Sequence, residues 1–222
     1  MIISLYNIKG GVGKSSTSVN LASLARKEGK TLLIDLDSQG ASSYFFNKKP
    51  KKRYIFTKPI EKTIKKTQYK NLDIIPADIT LKESSKLPQL LNILNKNYKF
   101  VIIDSPATLN ELTQKILISS DIVIVPILPN ILSLRTYNQL IKTKLNKNIR
   151  LFLNRVENKP LHKQVIKAVL KLPSSQYLKT YIPKSDLIEA MPFSKMSIIE
   201  QYPNAKEAKI YKKLFEEIKT LF

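Results

Sequence analysis

The segment Ile2-Ile3-Ser4-Leu5-Tyr6 leads almost directly into Lys9-Gly10-Gly11-Val12-Gly13-Lys14-Ser15. An apolar run, a glycine-rich turn and a helix start, in that order, are the parts of a phosphate-binding loop. Glycines let successive backbone N–H groups converge on phosphate oxygens without obstruction by Cβ atoms. In such a loop Lys14 reaches the β- and γ-phosphates and the Ser15 hydroxyl sits on Mg²⁺. The helix that follows turns its positive end toward the anion. The general spacing G-x-x-x-x-G-K-[ST] places glycine where this chain has Ile8, and here a lysine, Lys9, opens the loop instead.

Outward from the loop, apolar runs alternate with helical patterns. Residues 15–27 read as a helix with Val19 and Ala22 facing inward and Gly29 just past its end. The runs at 31–36, 72–75, 100–103, 122–126 and 149–154 are short and continuously apolar, as buried parallel strands are, and 180–182 is a weaker last candidate. Helical patterns fall at 84–96, 108–119, 132–146, 160–170 and 204–221. Strands separated by helices imply right-handed crossovers, hence an α/β fold: a predominantly parallel sheet with helices on both faces. Ligands in such sheets bind beyond the carboxyl ends of the strands. Residues 1–222 read as one P-loop domain, interrupted by a basic surface excursion over 47–70.

Three carboxylates stand at predicted strand ends. Asp35 and Asp37 follow the second strand, and Asp104 closes Phe100-Val101-Ile102-Ile103. An apolar strand ending in Asp is the Walker B pattern, which holds Mg²⁺ or its water. Any buried strand can end in Asp, and Asp35 also suits a turn cap. A phosphate loop earlier in the same chain makes the Mg²⁺ assignment the stronger one. Asp37 is the candidate for orienting an attacking water, while Ser15, Asp35 and Asp104 are the candidates for the metal and its hydration shell.

Composition narrows the alternatives. The chain has 222 residues, no cysteine and one histidine, His162, which leaves no thiolate metal site, disulfide framework or histidine triad. No apolar stretch is long enough to span a bilayer, and the early first strand leaves no room for a signal peptide, so a cytoplasmic location is expected. The net charge of +21 is unevenly spread: residues 47–70 carry 10 basic side chains and one acidic, residues 131–222 carry 18 and 7, and 71–130 carry 5 and 6. Clustered positive charge of this kind points to a polyanion, with nucleic acid favoured over a mere lysine bias.

The motifs together resemble one family. The K-G-G-x-G-K-[ST] loop resembles the deviant Walker A loop of the ParA/MinD ATPases. Asp35-Leu36-Asp37-Ser38-Gln39-Gly40 looks like the family's D-x-D-P-Q-G element, Asp104-Ser105-Pro106-Ala107 like its D-[TA]-P-P, and Val125-Pro126 with Pro129 like its V-x-P segment. Ile182-Pro183-Lys184-Ser185 through Glu189-Ala190-Met191-Pro192-Phe193-Ser194-Lys195 resembles the I-P-R-N…E-A-P-S-x-G-K run of partition ATPases, which favours the ParA/Soj branch. The likeness covers nearly the whole chain apart from 47–70. Ser38 and Ala107 stand where the family has proline, Ser15-Ser16 where it has a threonine pair, and Lys184 where it has arginine, which keeps charge but loses bidentate geometry.

That resemblance implies ATP and Mg²⁺ as cofactors, with Gly10, Gly11, Val12, Gly13, Lys14, Ser15 and Ser16 around the phosphates. It implies contacts to the base near Asn154 and Arg155 and the loop after Ile182. It further implies a homodimer sandwiching two ATP molecules, with Lys9 reaching the opposite subunit's phosphates. ATP-bound dimers would bind DNA without sequence preference and associate with the nucleoid, and a ParB-like centromere-binding protein would stimulate slow hydrolysis. Candidate DNA contacts are Lys184, Lys195, Lys206, Lys209, Lys212 and Lys213, taken as a cluster. Nothing precedes the first strand that could form a helix-turn-helix, so operator recognition is not expected.

Two other readings compete. A MinD-like ATPase would use the basic, amphipathic segment 208–222 to bind anionic lipid, but Glu216 and Glu217 weaken that attraction and a docked final helix is the preferred account. A basic nucleic-acid module on an inert nucleotide fold is opposed by the retention of Lys14, Ser15, Asp37 and Asp104.

Overall fold

The computed structural model describes residues 1–52, 55–56, 59–81 and 85–222. In chain order the elements are β1 (Ile2–Leu5), α1 (Lys14–Ala25), β2 (Thr31–Asp35), α2 (Ala41–Tyr44), α3 (Ile60–Thr63), β3 (Lys65–Lys66), β4 (Leu72–Ile75), α4 (Leu87–Asn97), β5 (Phe100–Asp104), α5 (Glu111–Ser119), β6 (Ile122–Ile127), α6 (Ile131–Lys142), β7 (Ile149–Leu153), α7 (Pro160–Val169), α8 (Asp186–Ser194), α9 (Ile198–Gln201) and α10 (Lys206–Lys219). Among the described residues the sheet runs β3-β4-β2-β5-β1-β6-β7, and only the β3–β4 pair is antiparallel. Six of the predicted strands, all but 180–182, recur within a residue or two at their ends. Of the predicted helices, the one placed at 84–96 runs from Leu87 to Asn97, its predicted start at residue 84 lying outside the described residues.

Two expectations need correction. Residues 180–182 do not form a strand: the segment meets β7 at an isolated bridge between Tyr177 and Leu151 and through the amides of Leu178 and Ile182, which donate to Leu151 O (2.7 Å) and Leu153 O (2.9 Å), and Pro183 bridges Val156 beyond the strand. The Thr180 amide turns away to Glu217 Oε2 on α10, 2.9 Å distant, and Pro183 has no N–H to give. Part of the 47–70 excursion is also regular, since Lys65–Lys66 adds the antiparallel edge strand. Two charged lysines at a sheet edge carry no apolar signal, although lysine is a common edge residue.

Alternation along the strands sorts the core into two layers. Ile3, Leu5, Leu33 and Ile102 face α1 and α10, whereas Ile2, Leu32, Val101 and Ile103 face α4 and α5, and Val123, Val125 and Leu151 face α6 and α7. The apolar stripe of α10 (Ala208, Tyr211, Leu214, Phe215, Ile218) is buried in the first layer, with the Phe215 ring edge-on to Phe100 at 5.6 Å. That stripe is therefore not available to lipid. Among the described residues, no helix is long and apolar enough to cross a membrane.

Strand order places the chemistry. β1 lies between β5 and β6, and β2 lies on the far side of β5, so the loops after β1, β2 and β5 open side by side at one end of the sheet. Register brings Leu5 opposite Asp104 and Asp104 opposite Asp35. Adjacent strands are about 4.8 Å apart. Two carboxylates thus meet as neighbours below the glycine-rich turn.

Candidate active site

The loop Lys9–Lys14 is shaped by left-handed residues. Gly11 has φ +72° and Gly13 φ +96°. Gly13 also begins α1, whose N-terminus has no side-chain cap and no acidic residue in its first turn. The first amides of a twelve-residue helix are thereby left for an anion. A Cβ on Gly10 or Gly11 would meet no atom within 4 Å, so the space beside the turn is open, as a phosphate cradle requires. Gly13 differs: its Cβ would lie 2.2 Å from Asn154 Nδ2, which donates to the Val12 carbonyl at 2.7 Å. Gly13→Ala is expected to cost about 1–3 kcal/mol through the left-handed backbone alone. It also displaces Asn154. A thermal midpoint equal to the wild type's would show that the loop relaxes freely.

Lys14 is 7% exposed, and its Nζ donates to the carbonyls of Asn7 (3.2 Å) and Lys9 (3.3 Å). It therefore lies folded back along the inside of the loop. Burial pulls its pKa down, opposed by the charges of Asp104 and Asp37. Asn7 carries no motif signal in the sequence, yet it organises the turn. Its Nδ2 donates to Pro126 O at 2.9 Å and its Oδ1 accepts from the Lys9 amide at 2.9 Å. A short polar residue between a strand and a glycine turn is the only mark it leaves on the chain.

The three carboxylates have distinct settings. Asp104 is fully buried. Its Oδ2 accepts from Ser42 Oγ at 2.6 Å, while Oδ1 has no hydrogen-bonding partner among the described residues. Burial raises the Asp104 pKa, and the hydroxyls of Ser42 and Ser15 and the charge of Lys14 work against that rise. An orphaned buried carboxylate oxygen beside a serine hydroxyl and an ammonium suits a hard divalent cation or its water. Asp37 is half-buried, and its Oδ1 accepts from the Gln39 amide at 3.0 Å. Asp35 is engaged by the protein itself: Oδ2 accepts from the Ser43 amide (2.7 Å) and hydroxyl (2.6 Å), and Oδ1 from the Asp37 amide (3.2 Å). Its contacts are those of a clamp on the turn that carries Asp37 and on α2.

Burial, and after it the neighbouring Asp104, push the Asp35 carboxyl up from 3.8 to about 8, against the hydrogen bonds from Ser43 and Asp37. Between those values the folded protein keeps a proton that the unfolded chain has released, so this group removes stability as pH rises through the window. Without nucleotide or metal, the midpoint of unfolding is expected to fall between about pH 5 and pH 8. Asp35→Asn should flatten that slope. Parallel slopes for the two proteins would place the proton elsewhere.

Beside the loop lies a cleft of about 270 Å³ that brings Gly13, Ser16, Asn154 and Arg155 together with Pro183 and Ser185. The predicted base contacts and the loop after Ile182 thus converge on one space. Arg155 is in the left-handed region (φ +56°), with Glu189 3.9 Å from its Nε. The six candidate DNA lysines do not form one cluster. Lys206, Lys209, Lys212 and Lys213 line the outer face of α10. Lys184 stands by Glu157 and His162, though Ser185 Oγ donates to Glu207 Oε1 (2.9 Å) and so ties its loop to the start of α10. Lys195 lies elsewhere, against Asn47 and Tyr44.

Comparison with known proteins agrees with this geometry. Residues 1–161 match the family model described as an AAA domain. The sporulation initiation inhibitor protein Soj of Bacillus subtilis is 31% identical, over 98% of this chain and 97% of its own. The chain belongs to the ParA/Soj family of partition ATPases. The chromosome partitioning protein ParA of Myxococcus xanthus is 28% identical over 98% of this chain and 87% of its own. A Borrelia burgdorferi structure described as a plasmid partition protein, bound to AMPPNP, superposes with a TM-score of 0.84 at 25% identity, covering 100% and 99% of the two chains. The septum site-determining protein MinD of Pyrococcus horikoshii, complexed with Mg-ADP, shares the fold at TM-score 0.82 and 24% identity, over 99% and 96%. Ser42 and Ser43, which no sequence motif marks, join α2 to both buried carboxylates.

Proposed function

We propose that this chain hydrolyses ATP with Mg²⁺, and that its ATP-bound form is a sandwich dimer which binds DNA without sequence preference until a centromere-binding partner speeds hydrolysis. The observation that carries this reading is the joint placement of an open glycine cradle, a folded-back Lys14 and an Asp104 oxygen with no partner among the described residues. The loop amides and Lys14 hold the β- and γ-phosphates, and Asn154 and Arg155 border the base. Ser15 and Asp104 hold Mg²⁺, which when bound neutralises charge on the β- and γ-phosphate oxygens. Asp37 orients a water whose oxygen bonds to the γ-phosphorus as the bridging bond to the β-phosphate breaks, leaving ADP and phosphate.

Self-association is supported by apolar side chains beside the loop: Ile8 is 43% exposed and Leu109 46%. Lys9 Nζ makes no hydrogen bond or ion pair among the described residues, so it is available to a second subunit. DNA binding is supported by the lysine row on α10, which dimerisation doubles. The lipid-binding alternative is opposed by burial of the apolar stripe of α10.

DNA binding measured in ATP, in ADP and without nucleotide, across a salt series, tests the reading. Binding confined to ATP and falling steeply with salt is expected. Equal binding in all three states would remove the nucleotide switch and with it the partition mechanism.

A further inference from the structure

The lysine run at the start of the basic excursion is held in place by the active site itself. The Lys48 amide donates to Ser43 O at 3.0 Å, and Ser43 is the residue that clamps Asp35. Pro50 packs so tightly on Gly40 that a Cβ there would lie 2.4 Å from its Cγ. Lys51 then pairs with the chain beyond β4: its amide donates to Ala77 O (3.4 Å) and its carbonyl accepts from Ile79 N (3.2 Å). The run is therefore an ordered extended segment at the nucleotide end of the sheet.

Lys195 joins it from the far end of the chain. Its Nζ donates to Asn47 Oδ1 at 2.9 Å and sits 4.7 Å from the centre of the Tyr44 ring. Two basic regions 148 residues apart in sequence thus form one surface. Lys51 and Lys52 are exposed and Lys48 is half-exposed. The ion pairs among the described residues lie elsewhere and involve none of Lys48, Lys51, Lys52 or Lys195. Four cations of one sign on a braced backbone complement a regular row of phosphates, and would repel one another with nothing opposite.

We propose that Lys48, Lys51, Lys52 and Lys195 form a DNA-phosphate contact surface distinct from the lysine row of α10. The proposal rests on the DNA-binding reading above and assigns to it a second, nucleotide-proximal contact.

The test is binding of the ATP-bound full-length protein to a mixed-sequence DNA duplex across a salt series. Wild type is compared with a quadruple Lys→Gln variant at these four positions, the matching Lys→Arg variant, and Lys→Gln at Lys206, Lys209, Lys212 and Lys213. The slope of log affinity against log salt is expected to shrink by about 0.9 for each phosphate that is no longer neutralised, about 2–4 in all for the first Gln variant. The Arg variant should keep the wild-type slope, and ATP affinity should be unchanged in both, which separates an effect of charge from an effect of misfolding. A Gln variant with the wild-type slope, beside an α10 variant that no longer binds, would overturn the proposal and leave the DNA reading intact. An Arg variant as weak as the Gln variant would overturn it too, because charge would then not be the cause. Wild-type protein that fails to bind DNA with ATP would overturn both. Should the Gln variant keep its DNA slope and lose only stimulation by an added centromere-binding protein, the surface is a protein dock and the proposal falls.

Discussion

Lys14→Ala is expected to lower ATP turnover by at least about 10²–10³-fold, the usual cost of removing one preorganised charge-stabilising donor. Two effects act together here. The ammonium proposed to face the γ-phosphate is removed, and so is the internal brace. Lys14 Nζ donates to the Asn7 and Lys9 carbonyls across the loop, and with alanine in its place both carbonyls lose that donor. The loop would then have to order itself on binding, so nucleotide affinity should fall as well as turnover. Phosphate release under saturating Mg-ATP measures the first effect and titration with a fluorescent nucleotide the second. Lys14→Arg separates them only in part, because the larger guanidinium does not fit a site that leaves lysine 7% exposed. A wild-type rate in Lys14→Ala would mean that the hydrolysis assigned to this site occurs elsewhere.

Lys9→Ala is expected to act on assembly instead. The backbone of Lys9 belongs to the loop: its amide donates to Asn7 Oδ1 and its carbonyl accepts from Lys14 Nζ. Its side-chain nitrogen has no partner within the subunit among the described residues. Alanine keeps every backbone contact and deletes only the unused ammonium. ATP affinity should stay within about threefold, under 1 kcal/mol. The ATP-dependent dimer should disappear in light scattering with a non-hydrolysable analogue, and ATP-dependent DNA binding should disappear with it. A normal dimer in Lys9→Ala would show that the loop-opening lysine does not reach across, and the sandwich would need another source of charge compensation between two bound triphosphates.

These two variants test residues visible in the bare sequence, and the reason is local. A phosphate cradle is built from consecutive residues, so Lys9 through Ser15 carry it in order. The buried strands are visible because both their faces are covered, which makes each a short continuous apolar run. The helix at Asp186–Ser194 is hidden by Pro192 within it, and the edge strand Lys65–Lys66 by its lack of any apolar residue.

The sequence by itself determined that a strand, an anion-binding turn and a helix open the chain, that acidic residues end two later strands, and that positive charge gathers in two regions. Each is a property of neighbours along the chain. Only the tertiary structure decided which strands lie side by side, because strand pairing follows from burying both faces of the whole sheet and not from any one segment. That order set Asp35 against Asp104 and pushed a carboxyl toward neutrality. It handed both carboxylates to the serine pair of α2, and it brought Lys195 onto Tyr44 and Asn47. Docking of α10 was decided at the same level: its amphipathic pattern fits lipid and core equally well, and the apolar face of the sheet took it.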